Sequence, residues 1–366
     1  MKRGHLGLLL VLLIAALGLA LFLGRGSRSD DPAPIPQPES AFTFKDDMGR
    51  SVTVGLPLRR VVIFNRYGVE FVRAIAGTGP IVGVDGGTAK ETAYWPELQN
   101  VAIVGQGQST PNYDAIAALR PDLVILPRNG SWQEAERVLT PLKIPVAVIT
   151  AWDVLKHEEN VTLMGRLFGE QERAAELNEF YQHWASLLEE RLQGVERKRV
   201  YLEEVADYRT LLPGSGWHDM IEAGGGINVF GNVSITTGNQ SRGSVQGFTV
   251  DPEEVIARAP DVILKLQPGQ YAPHPRAFSR DVLSGIANRP GWPGVPAVRN
   301  GQVYHMSYYL AGGCSKIIGA LQIAKWLYPE RFEDVDPEAV MAEWLTRFQH
   351  VPAQSDYTAS LAEFRR

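Results

Sequence analysis

Cysteine occurs once in the 366 residues, at Cys314, so no disulfide can form within the chain and cysteine usage says nothing about compartment. Charge of one sign is not concentrated anywhere either. Lys and Arg number 36 against 41 Asp and Glu, a net charge of -5, with no like-charged block that would make a nucleic-acid surface or a polybasic membrane patch. Neither partner is expected. The seven histidines, at 5, 157, 183, 218, 274, 305 and 350, include no closely spaced pair, which argues against a bare zinc or manganese site. There is no G-x-S-x-G, no H-E-x-x-H and no Ser-His-Asp constellation, so no catalytic residue is assigned and the chain is not expected to be an enzyme.

Long apolar runs are confined to one place. Lys2 and Arg3 precede an unbroken run from Leu6 to Leu23, which at 18 residues is long enough to cross a bilayer as a helix. Residues 1–29 read as an export segment, either cleaved after a small residue such as Gly26 or Ser29 or retained as an anchor in the cytoplasmic membrane through residues 6–23. No cysteine follows the run, so lipid attachment through an N-terminal Cys is excluded. In both cases the rest of the chain is expected in the periplasm or otherwise outside the cytoplasm. Residues 30–41, with prolines at 32, 34, 36 and 38 and no apolar periodicity, read as a linker.

Hydrophobic residues make up 45% of the chain, enough for two ordinary cores. The stretch FTFKDDMGRSVTV alternates about a turn as a hairpin does. From RRVVIF onward, short apolar strands (PIVGV, VAIVG, DLVIL, PVAVIT) alternate with helical stretches, the pattern of a parallel sheet covered by helices on both faces. Strand signals stop between Trp152 and Arg199, where apolar residues recur at helical spacing. They resume with RVYLEEV, DVILKL and QVYHM. The three glycines of IEAGGGINVFG, 224–226, follow a helix, so they read as a helix end rather than as a phosphate cradle.

One phrase is written twice. IAALRPDLVIL (116–126) returns as VIARAPDVILKL (255–266), with Pro121-Asp122 and Pro260-Asp261 set 139 residues apart. Each Pro-Asp ends a helix and begins a buried strand. The match extends upstream at the same offset, where Asn112 and Asp251 read as helix N-caps with Asp114 and Glu253 two residues inside.

At these residues the chain resembles the substrate-binding proteins of ATP-driven importers for iron-siderophores, haem and vitamin B12. The resemblance runs from about Phe42 to Phe332 and rests on the order of AIAALRPDLVIL, GWHDMIEAGGGINVFG, VDPEEVIARAPDVIL, AVRNGQVYHM and KIIGALQIAKWLYPERF. It implies an α/β chain of two Rossmann-like lobes with central parallel sheets, 42–150 and 196–366, bridged by a single long α-helix within 151–195. The last helices, PEAVMAEWLTRFQ, would pack on the second lobe or back across both. It implies a monomer that hands ligand to a permease dimer driven by an ATPase. Asp114 and Glu253 match the acidic residue that family members carry on each lobe for docking on permease arginines, although Asp114 stands where the family usually has Glu.

The ligand is expected between the lobes, where loops after strand ends converge. The resemblance implies a ferric chelate or related metal-organic complex, with haem, cobalamin and oxyanions as alternatives and a chelatase-like enzyme as the reading from another class. Loop aromatics and arginines suited to stacking and to anionic oxygens are Arg66, Tyr67, Trp95, Trp132, Trp217, Arg242, Tyr271, Tyr308 and Tyr309. For haem, Tyr67, Tyr271, His305, Met306, Tyr308 and Tyr309 are chemically able to be axial ligands. No resident cofactor and no protein-bound metal ion is assigned.

Overall fold

The computed structural model describes residues 40–233, 247–267 and 271–365; the apolar run at 6–23, most of the Pro-rich stretch and Arg242 lie outside them. Strands β1 (Ser40–Lys45) and β2 (Ser51–Leu56) form the antiparallel hairpin expected from their alternation, beginning two residues before the expected start. Asp46 closes the turn by accepting from the backbone N–H groups of Met48 and Arg50, at 3.0 Å each.

Five strands follow: β3 (Val61–Ile63), β4 (Ile81–Val84), β5 (Ala102–Ile103), β6 (Leu123–Leu126) and β7 (Val146–Val148). They make one all-parallel sheet in the order β5-β4-β3-β6-β7. Both faces are covered. Val61, Ile63, Leu123 and Ile125 face one core, while Val62, Phe64, Val124 and Leu126 face another. A strand buried on both sides needs apolar residues at every position, which is why these segments read as runs rather than alternations. The crossovers carry α1 (Arg66–Ala76), α2 (Tyr113–Leu119) and α3 (Trp132–Leu139).

The helical stretch after β7 is two helices, α4 (His157–Phe168) and α5 (Gln171–Arg191), separated at Gly169. Gly169 takes φ 76°, the left-handed conformation that ends a helix and that favours glycine. The 21-residue α5 is the long helix, and it leads into the second sheet. That sheet contains β8 (Lys198–Glu203), β9 (Arg209–Thr210), β10 (Gly226–Asn228), β11 (Phe248–Thr249), β12 (Val262–Gln267), β13 (Val303–Ser307) and β14 (Thr358–Ser360). Its centre, β10 and β12 on β8 and β13 on β12, is parallel, with antiparallel strands at the margins. Around it lie α6 (Gly216–Ala223), α7 (Pro252–Ala257), α8 (Arg276–Ala287), α9 (Lys316–Leu327) and α10 (Pro337–Glu343).

The repeated phrase has one structural meaning in both sheets. Arg120 and Ala259, the residues before each proline, close their helices at φ 47° and 42°, a conformation that stops the helix where proline could not continue it. The aspartate after each proline then fastens the start of the neighbouring central strand. Asp122 accepts from the N–H groups of Arg59 and Arg60, at 2.8 Å each, and Asp261 accepts from Arg199 N–H at 2.9 Å. Upstream, Asn112 and Asp251 are the N-caps of α2 and α7.

One core is continuous between the sheets. It joins Ile63 and Ile125 of the first to Leu202 and Leu264 of the second through Phe71 of α1, Leu167 of α4, Phe180 of α5 and Leu321 of α9. The C-terminal segment closes back over it. Phe180 stacks on Trp344 and meets Phe348, with ring centres 6.5 and 5.1 Å apart, and Arg73 of α1 donates to Gln349 at 3.1 Å. The last helical segment therefore packs on the long helix α5, and the residue that follows it bonds to α1 of the first lobe.

Candidate functional site

The C-terminal ends of the strands of the two sheets face a shared cleft, the place where open α/β sheets take ligands. From the first sheet, the chain leaves β3 through Asn65, which caps α1 at φ 80° and accepts from Tyr67 N–H at 2.9 Å. Asn65 Nδ2 donates to Gln108 at 2.6 Å, and Gln108 donates to Asn129 after β6 at 2.8 Å, so three loops are joined by side-chain amides. From the second, Glu204 follows β8, Ser215 caps α6, and Tyr308 follows β13.

Two adjoining cavities lie between these ends. The deeper, of about 170 Å³, has Asn65, Tyr67 and Trp152 on one side and Trp217, Tyr308 and Lys316 on the other. The wider, of about 500 Å³, has Arg66, Asp85, Glu91 and Gln106, and shares Asn65, Tyr67 and Tyr308 with the first. Trp217 and Tyr308 stack at 5.0 Å with 27° between their planes, and Tyr67 meets Trp152 edge-on at 5.9 Å. Burial raises the phenol pKa of both Tyr67 and Tyr308, so neither is a phenolate in the neutral range.

Lys316 stands out in this setting. It opens α9, is 2% exposed, and holds its Nζ 3.8 Å from the centre of the Trp217 ring, with one hydrogen bond to Ala311 O at 3.3 Å. Burial pushes its pKa down to about 7, against weaker opposing attraction from Asp219 and Asp153. Glu204, on the same cavity, is paired with Arg209 at 2.6 Å.

Below the cleft the lobes are pinned by polar and aromatic contacts. Arg66 pairs with Glu91 at 3.0 Å and lies 4.5 Å from the Tyr309 ring centre, while the Tyr309 hydroxyl donates to Glu91. Tyr94 packs against Trp95, Tyr271 and Tyr309, with ring centres 4.5, 5.1 and 4.9 Å away, and donates to the buried Glu70 at 3.0 Å. A side chain at Gly312 would put its Cβ 2.2 Å from the Tyr67 hydroxyl, so glycine is what lets α1 approach this loop.

Of the residues singled out in the sequence, Arg66, Tyr67, Trp217 and Tyr308 line the cavities. Trp95, Tyr271 and Tyr309 are buried in the aromatic cluster below and line neither; Trp95 is 1% exposed. Trp132 also lines neither. It sits on α3 beneath the Arg50 guanidinium, 4.6 Å away. Arg242 lies outside the described residues. Among the haem-ligand candidates, Met306 is fully buried within β13, and His305 is turned to Ser279 at 2.8 Å, with burial lowering its pKa to about 4. Asp114 and Glu253 are exposed in the first turns of α2 and α7, with no ion pair among the described residues. No cluster of three or more His, Cys, Asp or Glu able to hold a metal ion occurs among the described residues. Asn65 and Asn129 lie in loops the sequence marks as candidates for the cleft, 65–68 and 127–133, whereas sequence reasoning missed Trp152, Glu204 and Lys316. Of those three only Lys316 carried a signal, a charge at the head of the apolar stretch IIGALQIA.

Known proteins share this architecture. A family model described as periplasmic binding protein matches residues 61–309. The molybdate-binding protein MolA of Haemophilus influenzae is 26% identical over 348 residues, covering 86% of this chain and 92% of its own. The vitamin B12-binding protein of Salmonella typhimurium is 27% identical over 206 residues, 56% of this chain and 71% of its own. Among solved structures, MolA bound to molybdate has a TM-score of 0.70 at 24% identity, over 86% of this chain and 100% of that one. FepB from Veillonella parvula has a TM-score of 0.71 at 23% identity, over 87% and 99%. At such identity the two structures speak for the fold alone.

Proposed function

The chain belongs to the periplasmic binding protein family, the substrate-binding proteins of ABC importers, and on that premise we propose that it captures a compact metal-bearing ligand in the cleft described above and delivers it to a membrane permease. The observation that carries this reading is the pair of cavities at the strand ends, walled by Tyr67, Trp217 and Tyr308 and reached by Arg66. Their volumes, about 170 and 500 Å³, fall below and within the roughly 300–1,000 Å³ typical of small-molecule pockets. Such space favours a ferric chelate or similar metal-organic complex over a corrinoid. Aromatic faces would hold the organic part, and Arg66 would meet anionic oxygens.

A second reading has its own observation. A bare oxyanion, of the kind the Haemophilus influenzae relative is named for, would suit the deeper cavity because Lys316 is buried there.

The partner in this proposal is a permease dimer with its ATPase, met by Asp114 and Glu253. The N-terminal apolar segment would direct the chain out of the cytoplasm and, if retained, tether it to the membrane. The test is native mass spectrometry with absorbance spectra of the purified full chain after exposure to ferric citrate, sodium molybdate, haemin and cyanocobalamin. One-to-one retention of ferric citrate or molybdate is expected. Retention of none of the four overturns the reading of the cleft as a metal-ligand site.

A further inference from the structure

A lysine with almost no exposure normally has a carboxylate beside it, because taking an ammonium out of water without a counter-charge is costly. Lys316 has no ion pair to a described carboxylate. What it has is the face of Trp217, one carbonyl oxygen, and a position on the wall of the deeper cavity.

The charged groups around it do not supply the missing anion. Asp219, on α6, and Asp153, after β7, attract it through space, but Asp153 is held by Arg128. Glu204, across the cavity, is held by Arg209. Tyr67 from α1 and Tyr308 after β13 are kept as neutral phenols by burial, and Glu70 of α1 faces Tyr94. Removal of the side chain would relieve the buried charge, so packing alone gives no reason for a lysine here.

We propose that Lys316 is the specificity-determining cation of the cleft: its ammonium pairs with an anionic oxygen of the ligand, which the stacked Trp217 and Tyr308 rings hold against it. The inference rests on the cleft being the ligand site. The oxygen belongs either to a tetrahedral oxyanion or to a carboxylate-type donor at the edge of a metal chelate. The two sources share the chemistry of a desolvated negative oxygen, and a neutral ligand lacks it.

A dependence on pH follows. Burial places the Lys316 pKa near 7 before ligand arrives, and a bound anion raises it. Anion affinity is therefore greatest below about pH 7. It falls by up to about tenfold per unit above that, until the lysine of the complex also loses its proton.

Calorimetry on the full chain tests this with sodium molybdate, ferric citrate and cyanocobalamin as probes, using wild type, Lys316→Met and Lys316→Arg between pH 6 and 9. Methionine matches the stem of lysine without its charge, so its melting temperature should equal or exceed that of wild type and report correct folding. The expected result is that Lys316→Met weakens whichever anionic probe binds by about 10- to 100-fold and flattens its pH profile. Lys316→Arg should retain part of the affinity and lose the decline above pH 7, because arginine stays charged. Preference for molybdate or for ferric citrate tells the two oxygen sources apart. If Lys316→Met binds its anion as wild type does, the role of Lys316 is overturned while the cleft remains the site. Binding of cyanocobalamin alone overturns the anionic class and Lys316 with it. Binding of no probe overturns both inferences.

Discussion

Glu70 lies where α1 meets the loop at Gly312 and Gly313, 2% exposed, with one oxygen accepting from Tyr94 and the other without a hydrogen bond. Burial pushes its pKa up to about 7 from 4.5, so the folded state holds this proton more tightly than the unfolded chain. The stabilisation is fully present below about pH 4.5 and is lost as pH rises through about 7. Glu70→Gln should therefore leave the melting temperature little changed at pH 5 and raise it at pH 8, by an amount corresponding to at most about 2–3 kcal/mol. Equal effects at both pH values would contradict the assignment. Single residues are also where the sequence was least legible. Arg66, Tyr67, Trp217 and Tyr308 were recognisable as loop residues with the right chemistry, and they reach the cavities. Trp95 and Tyr271 have the same chemistry, but Trp95 is buried against Tyr94 and Arg73, and Tyr271 is hydrogen-bonded to Pro352 and Tyr357 of the C-terminal segment, whose return no local pattern announces. Lys316 was visible as a charge on an apolar helix, but its burial depends on Trp217, about a hundred residues away in sequence.

At the scale of elements, the clearest feature is the repeated helix, Pro-Asp and strand. Its periodicity and its proline were enough to place the helix ends and strand starts in both lobes, because those are decided by local sterics. What the phrase could not disclose is that each aspartate reaches sideways to the strand before it in the sheet. Asp122→Ala removes the acceptor of two backbone N–H groups, and Asp261→Ala removes the acceptor of one. Each should cost roughly 1–2 kcal/mol in denaturant titration, Asp122→Ala the more. The double variant should lose about the sum, since the sites serve separate sheets. A loss from neither would mean that water replaces these acceptors fully. The break between α4 and α5 escaped notice because a lone glycine inside a helical pattern is compatible with an unbroken helix, and only the left-handed conformation of Gly169 decides otherwise.

Across the whole molecule, a core continuous from one sheet to the other and an aromatic cluster under the cleft leave little room for the sheets to swing apart as hinged bodies. Gly312→Ala tests that tightness. Its Cβ would collide with the Tyr67 ring, so the variant should lower the melting temperature and weaken ligand binding together. An unchanged melting temperature would show that the contact is easily relieved. Delivery is a separate matter from capture. If Asp114 and Glu253 serve docking, reversing either to Lys should slow transport in permease-containing vesicles while ligand affinity of the isolated protein stays unchanged; equal losses in both assays would return these acids to ordinary helix-start roles. Capture, as proposed above, places the ligand between the two sets of strand ends. Its most direct test is a crystal of the protein grown with sodium molybdate or ferric citrate, with diffraction recorded at the metal's absorption edge. One anomalous peak is expected in the cleft, bounded by Asn65 and Tyr67 on one side and by Trp217, Tyr308 and Lys316 on the other. A peak outside the cleft, for instance beside Trp132, would contradict it.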